Sequence, residues 1–279
     1  MSDPSTPHPA TVLKALEQRA RRRFGQHFLT DAGVVRRMVG GARVSAGDRV
    51  VEIGPGLGIL TEQLLSHDVE LTAVELDRDL AAYIRERFPQ VRLIEGDAAK
   101  VDWADVTPGT GWKVVANLPY NVGTTVVMQL VRRPETFASV TVMLQLEVVQ
   151  RLMAEPGSKA FGALSVQAQA RARPRFVLKL PPGAFHPPPK VDSAVIHFDV
   201  YETPATGSCP ADHFDKVVRA AFSHRRKTLR NSLAASWGRE RADRSLAAAG
   251  LEQGMRPEQV DLAGYVALAE ADHGGLQGA

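Results

Sequence analysis

Val50-Val51-Glu52-Ile53-Gly54-Pro55-Gly56-Leu57-Gly58 is a β-branched run that breaks into three closely spaced glycines, and an amphipathic stretch, ILTEQLLS at 59–66, follows at once. A strand entering a glycine turn and then a helix is a ligand-binding unit. Glycine permits the tight turn and lets a ligand approach the backbone, while the helix start favours polar or anionic groups. Glu75 lies at the end of the next apolar run, 71–76. That is about 20 residues on, where a carboxylate can accept hydrogen bonds from both ribose hydroxyls. The pattern predicts a nucleoside-bearing cofactor. A dinucleotide fingerprint needs glycine or alanine three residues after the second glycine, and that position is Ile59. The spacing fits a cofactor with no pyrophosphate to cradle.

Apolar runs at 49–53, 71–76, 91–94, 113–118 and 140–144 alternate with amphipathic stretches at 59–66, 80–88 and 124–131. Continuous apolar strands alternating with helices predict an α/β fold, a mostly parallel sheet covered on both faces. The runs 194–200, with His197 and Asp199 interleaved, and 176–180 suit edge or antiparallel strands. The segment YETPATGSCPA at 201–211 reads as a linker, and the Ala-, Leu- and Arg-rich chain beyond it has no strand-like run. Pro257 sits where a helix first turn tolerates it. The expected organisation is a flexible extension at 1–20, an α/β domain at 21–200, a linker at 201–211 and a small all-helical domain at 212–279.

The chain has 279 residues, 44% hydrophobic and 23% charged. That balance excludes disorder, collagen and coiled coil as the main state. The lone Cys209 excludes a disulfide framework or a multi-cysteine metal site, and neither histidines nor carboxylates fall at ligand spacing, so no metal is expected. No apolar run approaches the length of a membrane span, and the first 20 residues lack the apolar centre of a secretory signal. The expectation is a cytoplasmic monomer. Net charge is only +3, but the basic residues cluster. Arg19, Arg21, Arg22 and Arg23 form one group; 156–191 holds Lys159, Arg171, Arg173, Arg175, Lys179 and Lys190 with no acid; and 219–230 holds Arg219, Arg225, Arg226, Lys227 and Arg230 with none. A single cluster can be a solvated face. Three together read as the footprint of phosphate-backbone binding, making nucleic acid the expected partner.

Asp97, in Glu95-Gly96-Asp97-Ala98 after the third run, sits where open α/β sheets bind ligands. It can accept from an adenine amino group or simply cap a turn. The fourth run ends in Asn117-Leu118-Pro119-Tyr120. An adenine exocyclic amine is a poor nucleophile because its lone pair is delocalised into the ring. Two acceptors aimed at its hydrogens, the Asn117 side-chain oxygen and the Leu118 carbonyl, would draw the nitrogen toward tetrahedral geometry and free that pair for in-line attack on a methyl group. Pro119 holds the backbone out of a competing helical partner, and Tyr120 can stack on a base swung out of its helix or loop. Taken alone, the four residues could equally be a strand-ending turn with a packed tyrosine.

The glycine loop, Glu75, Asp97 and Asn117–Tyr120, in this order, resemble the S-adenosylmethionine-dependent adenine-amino methyltransferases. Three further stretches narrow the resemblance: Gly25-Gln26-His27-Phe28-Leu29, FHPPPKVDSAV at 185–195, and AFSHRRKTLRN at 221–231. With these the chain resembles the KsgA-type small-subunit ribosomal RNA adenine dimethyltransferases over nearly its whole length. The resemblance implies a Rossmann-like class I methyltransferase fold and S-adenosyl-L-methionine as cofactor. The implied substrate is two adjacent adenosines in the loop of a 3′-terminal hairpin of 16S ribosomal RNA, in the immature small subunit. It implies Asn117, Leu118, Pro119, Tyr120 and Phe185 at the target base, with Phe185 stacking opposite Tyr120. It implies Gln26, His27, Leu29, Gly54, Gly56, Glu75, Asp97 and Asn117 around the cofactor, with Arg21, Arg22, Arg23, Lys190, Arg225, Arg226, Lys227 and Arg230 on the RNA. His27 departs from the family, which commonly has asparagine there; an imidazole still offers a donor. Two alternatives are a large-subunit ribosomal RNA methyltransferase of the antibiotic-resistance type and a non-catalytic ribosome-assembly factor. The Pro-Lys-Val-Asp-Ser stretch and the Arg-Arg-Lys-Thr-Leu-Arg-Asn tail argue against the first. The intact Asn117–Tyr120, Glu75 and Asp97 argue against the second.

Overall fold

The structure, a computed structural model, describes residues 27–224 and 226–277. The extension 1–20 and the candidate residues Arg21, Arg22, Arg23, Gln26 and Arg225 lie outside the described residues. The strands are β1 (Phe28–Leu29), β2 (Arg49–Ile53), β3 (Glu70–Glu75), β4 (Arg92–Glu95), β5 (Trp112–Asn117), β6 (Phe137–Gln145), β7 (Ala172–Leu180), β8 (Phe185–His186) and β9 (Ser193–Val200). The helices are α1 (Ala32–Ala42), α2 (Ile59–Leu65), α3 (Arg78–Arg87), α4 (Trp103–Val106), α5 (Gly123–Leu130), α6 (Leu146–Leu152), α7 (Ala163–Gln169), α8 (Ala211–Ala221), α9 (Leu229–Trp237), α10 (Arg239–Ala248) and α11 (Leu262–Gln277).

Seven strands form one sheet in the order β4-β3-β2-β5-β6-β9-β7. The five from β4 to β6 pair in parallel, and β9 runs antiparallel to β6. This is the α/β sheet that the sequence predicts. The central strands are apolar on both faces because both are covered: Val114, Val115 and Ala116 of β5 are all fully buried. Asp31 and Asp77 start α1 and α3 by accepting from backbone N–H groups two and three residues on. The order reverses between β2 and β5, so the crevice at their C-terminal ends is the place for a ligand.

A separate two-stranded ribbon pairs β1 with β8, placing Phe28 opposite His186 and Leu29 opposite Phe185. Two of the motif stretches, far apart in sequence, are thereby hydrogen-bonded together.

The chain divides into two compact units, 27–149 with 175–200, and 150–174 with 201–277. The sequence places 150–174 in the α/β domain and treats 201–211 as a connection. In the structure, Phe161, Val166 and Ala170 join the helical core around Phe214, Val218, Leu233, Leu246 and Tyr265. The 201–211 segment is held down as well. Tyr201 N donates to the Arg171 carbonyl at 2.9 Å, and Cys209 is buried in the same core. Thr206 and Cys209 are its buried side chains, and a composition-based reading averages such single anchors away. Arg171 and Asp215, each 2% exposed, form an ion pair at 2.9 Å inside this unit. No helix among the described residues is long and apolar enough to cross a membrane.

Candidate active site

A cavity of about 330 Å³ opens at the C-terminal ends of β2, β3 and β5. His27, Leu29, Gly54, Gly56, Glu75, Asp97 and Asn117–Tyr120 all line it. Residues spread over more than ninety positions of sequence therefore meet at one place, because the parallel strands all end on the same side.

The glycine loop and Glu75 are a single device. Gly54, Gly56 and Gly58 all have positive φ, between 57° and 82°. Gly56 N donates to Glu75 Oε2 at 3.2 Å, and Asp77 N donates to Oε1 at 3.0 Å. Gly56 has φ +57°, which favours glycine, and a Cβ there would also lie a tight 3.2 Å from the Phe28 ring. Each carboxylate oxygen of Glu75 keeps a lone pair for a further donor, as a ribose diol requires. Burial raises the Glu75 pKa, and the two backbone donors pull it back down. Asp97 caps a turn and stands at the cavity. Its Oδ1 caps the turn by accepting from Ala99 N at 2.9 Å, and the residue still lines the cavity.

Asn117 ends β5 with its side-chain Nδ2 donating to the His27 carbonyl at 3.2 Å. A carbonyl only accepts, so this bond fixes which way the amide faces and leaves Oδ1 able to accept from a further donor. The turn that follows takes its helical hydrogen bonds, from Val122 and Gly123, at the Pro119 carbonyl, one residue beyond Leu118. The Tyr120 hydroxyl shares a 2.6 Å hydrogen bond with Ser193 Oγ, and its half-buried phenol pKa is pushed up by desolvation. The His27 ring lies 5.6 Å from the Tyr120 ring, and His27 Nδ1 donates to the Pro187 carbonyl at 2.7 Å.

Phe185 does not line the cavity. It is 4% exposed and packs in the core of the α/β unit with Leu29, Leu180 and Ala184. Its place in β8, opposite Leu29, turns its ring into the core instead of toward Tyr120. Lys190, Arg226 and Lys227 are exposed. Arg230 is not free: its guanidinium holds Asp243 through two bonds, at 2.5 and 2.6 Å.

Among the cavity residues that carry no role in the sequence reading are Glu52 and Leu76. Leu76 follows Glu75 and is half exposed, an apolar surface beside the ribose position. Glu52 was visible in the glycine motif, but nothing in sequence says that it faces the cavity. The lining contains Glu75 and Asp97 and, among the described residues, no lysine or arginine. Such a wall repels a pyrophosphate and suits a nucleoside carrying positive charge. S-adenosylmethionine, a sulfonium with an adenosyl group, fits these residues; Glu75 would hold its ribose and Asp97 its adenine.

Sheet and site define an S-adenosylmethionine-dependent methyltransferase. The family model "Ribosomal RNA adenine dimethylase" matches residues 17–271, and the chain belongs to that family. It is 43% identical over 257 residues to the Ribosomal RNA small subunit methyltransferase A of Syntrophotalea carbinolica, covering 91% of this chain and 97% of the relative. It is 42% identical over 257 residues to the protein of that name in Pseudomonas aeruginosa, covering 91% and 94%. Among solved structures, a Plasmodium falciparum dimethyladenosine transferase superposes with TM-score 0.75 at 22% identity, over 87% of this chain and 96% of that one. The 23S rRNA methyltransferase ErmE does so with TM-score 0.69 at 24% identity, over 88% and 99%. These two likenesses concern the fold.

Proposed function

We propose that this protein uses S-adenosylmethionine to dimethylate the exocyclic amino groups of two adjacent adenosines in 16S ribosomal RNA. The target is the loop of a 3′-terminal hairpin, met in the immature small subunit. In this reading the protein works as a monomer in the cytoplasm. The observation that carries it is the Asn117 amide, turned by the His27 carbonyl so that its oxygen faces away as an acceptor, in the same cavity as Glu75.

The cofactor, when bound, supplies an electrophilic methyl group. The chain's part is positioning. Glu75 and Asp97 hold the adenosyl end, while Asn117 Oδ1 and the Leu118 carbonyl accept from the target amine and localise its lone pair. Tyr120, anchored by Ser193, offers a face on which the flipped base stacks. Phe185 would reach that base only if the β1–β8 ribbon rearranged, so the first-choice stacking surface is Tyr120. Lys190, Arg225, Arg226 and Lys227, with Arg21, Arg22 and Arg23, are the proposed phosphate contacts.

The test is incubation with labelled S-adenosylmethionine and either immature small subunits or large subunits, followed by mapping of the modified base. Dimethyladenosine at neighbouring positions near the small-subunit RNA 3′ end is the expected result. Modification of large-subunit RNA instead, or of neither, overturns the reading.

A further inference from the structure

Glu52 is 1% exposed, stands at the end of β2 and lines the cavity. Its Oε2 accepts from Thr61 Oγ1 at 2.7 Å, and its Oε1 has no hydrogen-bond partner among the described residues. Its register neighbours are Ala73 on β3 and Val115 on β5, both apolar. The ionisable group that acts on it is a second carboxyl, Glu75, at the end of β3. His27 and Asp97 line the same cavity, and among the described residues no lysine or arginine does. A buried carboxylate with a like charge nearby and no cation is costly, and such a group stays neutral until a counter-charge arrives. Burial, more than Glu75, pushes its pKa up to about 8.

We propose that Glu52 is the counter-ion this cavity holds in reserve: its carboxyl is neutral in the free protein and releases its proton when the cationic methyl donor enters. The proposal rests on the cavity being the S-adenosylmethionine site. The proton moves from Glu52 to solvent, and the charge it leaves faces the incoming cation. The bound cofactor offers two positive groups, an ammonium at its amino-acid end and the sulfonium. The demethylated product, S-adenosylhomocysteine, keeps only the ammonium. A carboxyl that ionises against the sulfonium would therefore favour the methyl donor over the spent product. Glu52 is then a specificity-determining residue for a reaction that must release its product several times on one RNA.

The experiment is calorimetric titration of the full chain with each ligand in buffers of different ionisation enthalpy, which counts the protons released. Glu52→Gln is the comparison, since its side-chain carbonyl can still accept from Thr61. Subtracting the variant removes any titration of the ligand's own amino group. Wild type should release close to one proton more than the variant at pH 7, falling toward zero above about pH 9 as Glu52 is already ionised. The variant should bind S-adenosylmethionine about tenfold more weakly at pH 9. Release with S-adenosylmethionine alone is the expected result; equal release with both ligands places the ammonium against Glu52 and overturns its role in specificity. Equal release by wild type and variant overturns the proposal while leaving the cofactor site standing. Failure of either ligand to bind wild type overturns the cofactor reading and the proposal with it. Melting of the free variant at the wild-type temperature shows that the fold is intact.

Discussion

The Asn117 side chain donates to the main-chain carbonyl of His27 across 3.2 Å, tying the end of β5 to a segment ninety residues earlier. One bond thus does two things. It orients the acceptor oxygen proposed to activate the target amine, and it fastens the β1 segment over the cavity. His27 in turn donates to the Pro187 carbonyl, so the β1–β8 ribbon and the strand-ending motif are joined through one residue. The departure of His27 from the family's asparagine leaves the Asn117 contact intact, because that contact uses the His27 backbone.

Glu75→Ala should weaken S-adenosylmethionine binding roughly tenfold to a hundredfold, since hydrogen bonds to a charged group contribute about 1.5–3 kcal/mol. The variant also strands the Gly56 and Asp77 N–H groups, which solvent in the open cavity can satisfy. Calorimetric titration checks the affinity, and a wild-type Kd would remove Glu75 from the cofactor site.

RNA binding should divide the tail cluster. Replacing Arg226 and Lys227 with alanine should flatten the salt dependence of RNA affinity by about 0.7–0.9 of a log-slope unit per lost phosphate contact. Arg230→Ala should leave the slope unchanged, because Asp243 already takes its guanidinium. Filter binding across a salt series measures both slopes. An equal loss from Arg230→Ala would show that RNA displaces Asp243.

Arg171→Met should destabilise the helical unit by about 3–5 kcal/mol, since it removes one member of a buried ion pair. Urea denaturation gives the value. A loss below about 1 kcal/mol would mean that water reaches Asp215.

The sheet was legible because continuous β-branched runs alternate with amphipathic stretches, and each expected strand lies within a few residues of an observed one, as 113–118 does to Trp112–Asn117. The meeting of the candidate residues was legible because strand ends in a parallel sheet converge, so Gly56, Glu75 and Asn117 line one cavity. Charge was harder to read. The acid-free stretch 156–191 is not acid-free in space: Arg175 pairs with Asp199 and Lys179 with Asp192, while Asp215 sits against Arg171. Sequence proximity says nothing of partners brought in by folding. Phe185 shows the same limit, since period-two pairing with Leu29, invisible in sequence, decides which way its ring faces.

The most direct test of the central claim is the single-turnover methylation rate of Asn117→Ala at saturating S-adenosylmethionine, measured beside its affinity for the small subunit. The substitution removes one preorganised acceptor and leaves the Leu118 carbonyl, Tyr120 and the basic residues in place. The account predicts a rate about 100- to 1000-fold below wild type with subunit binding nearly unchanged. A rate within a few-fold of wild type would contradict activation of the amine by Asn117, and parallel loss of rate and binding would show that its bond to His27 only holds the site together.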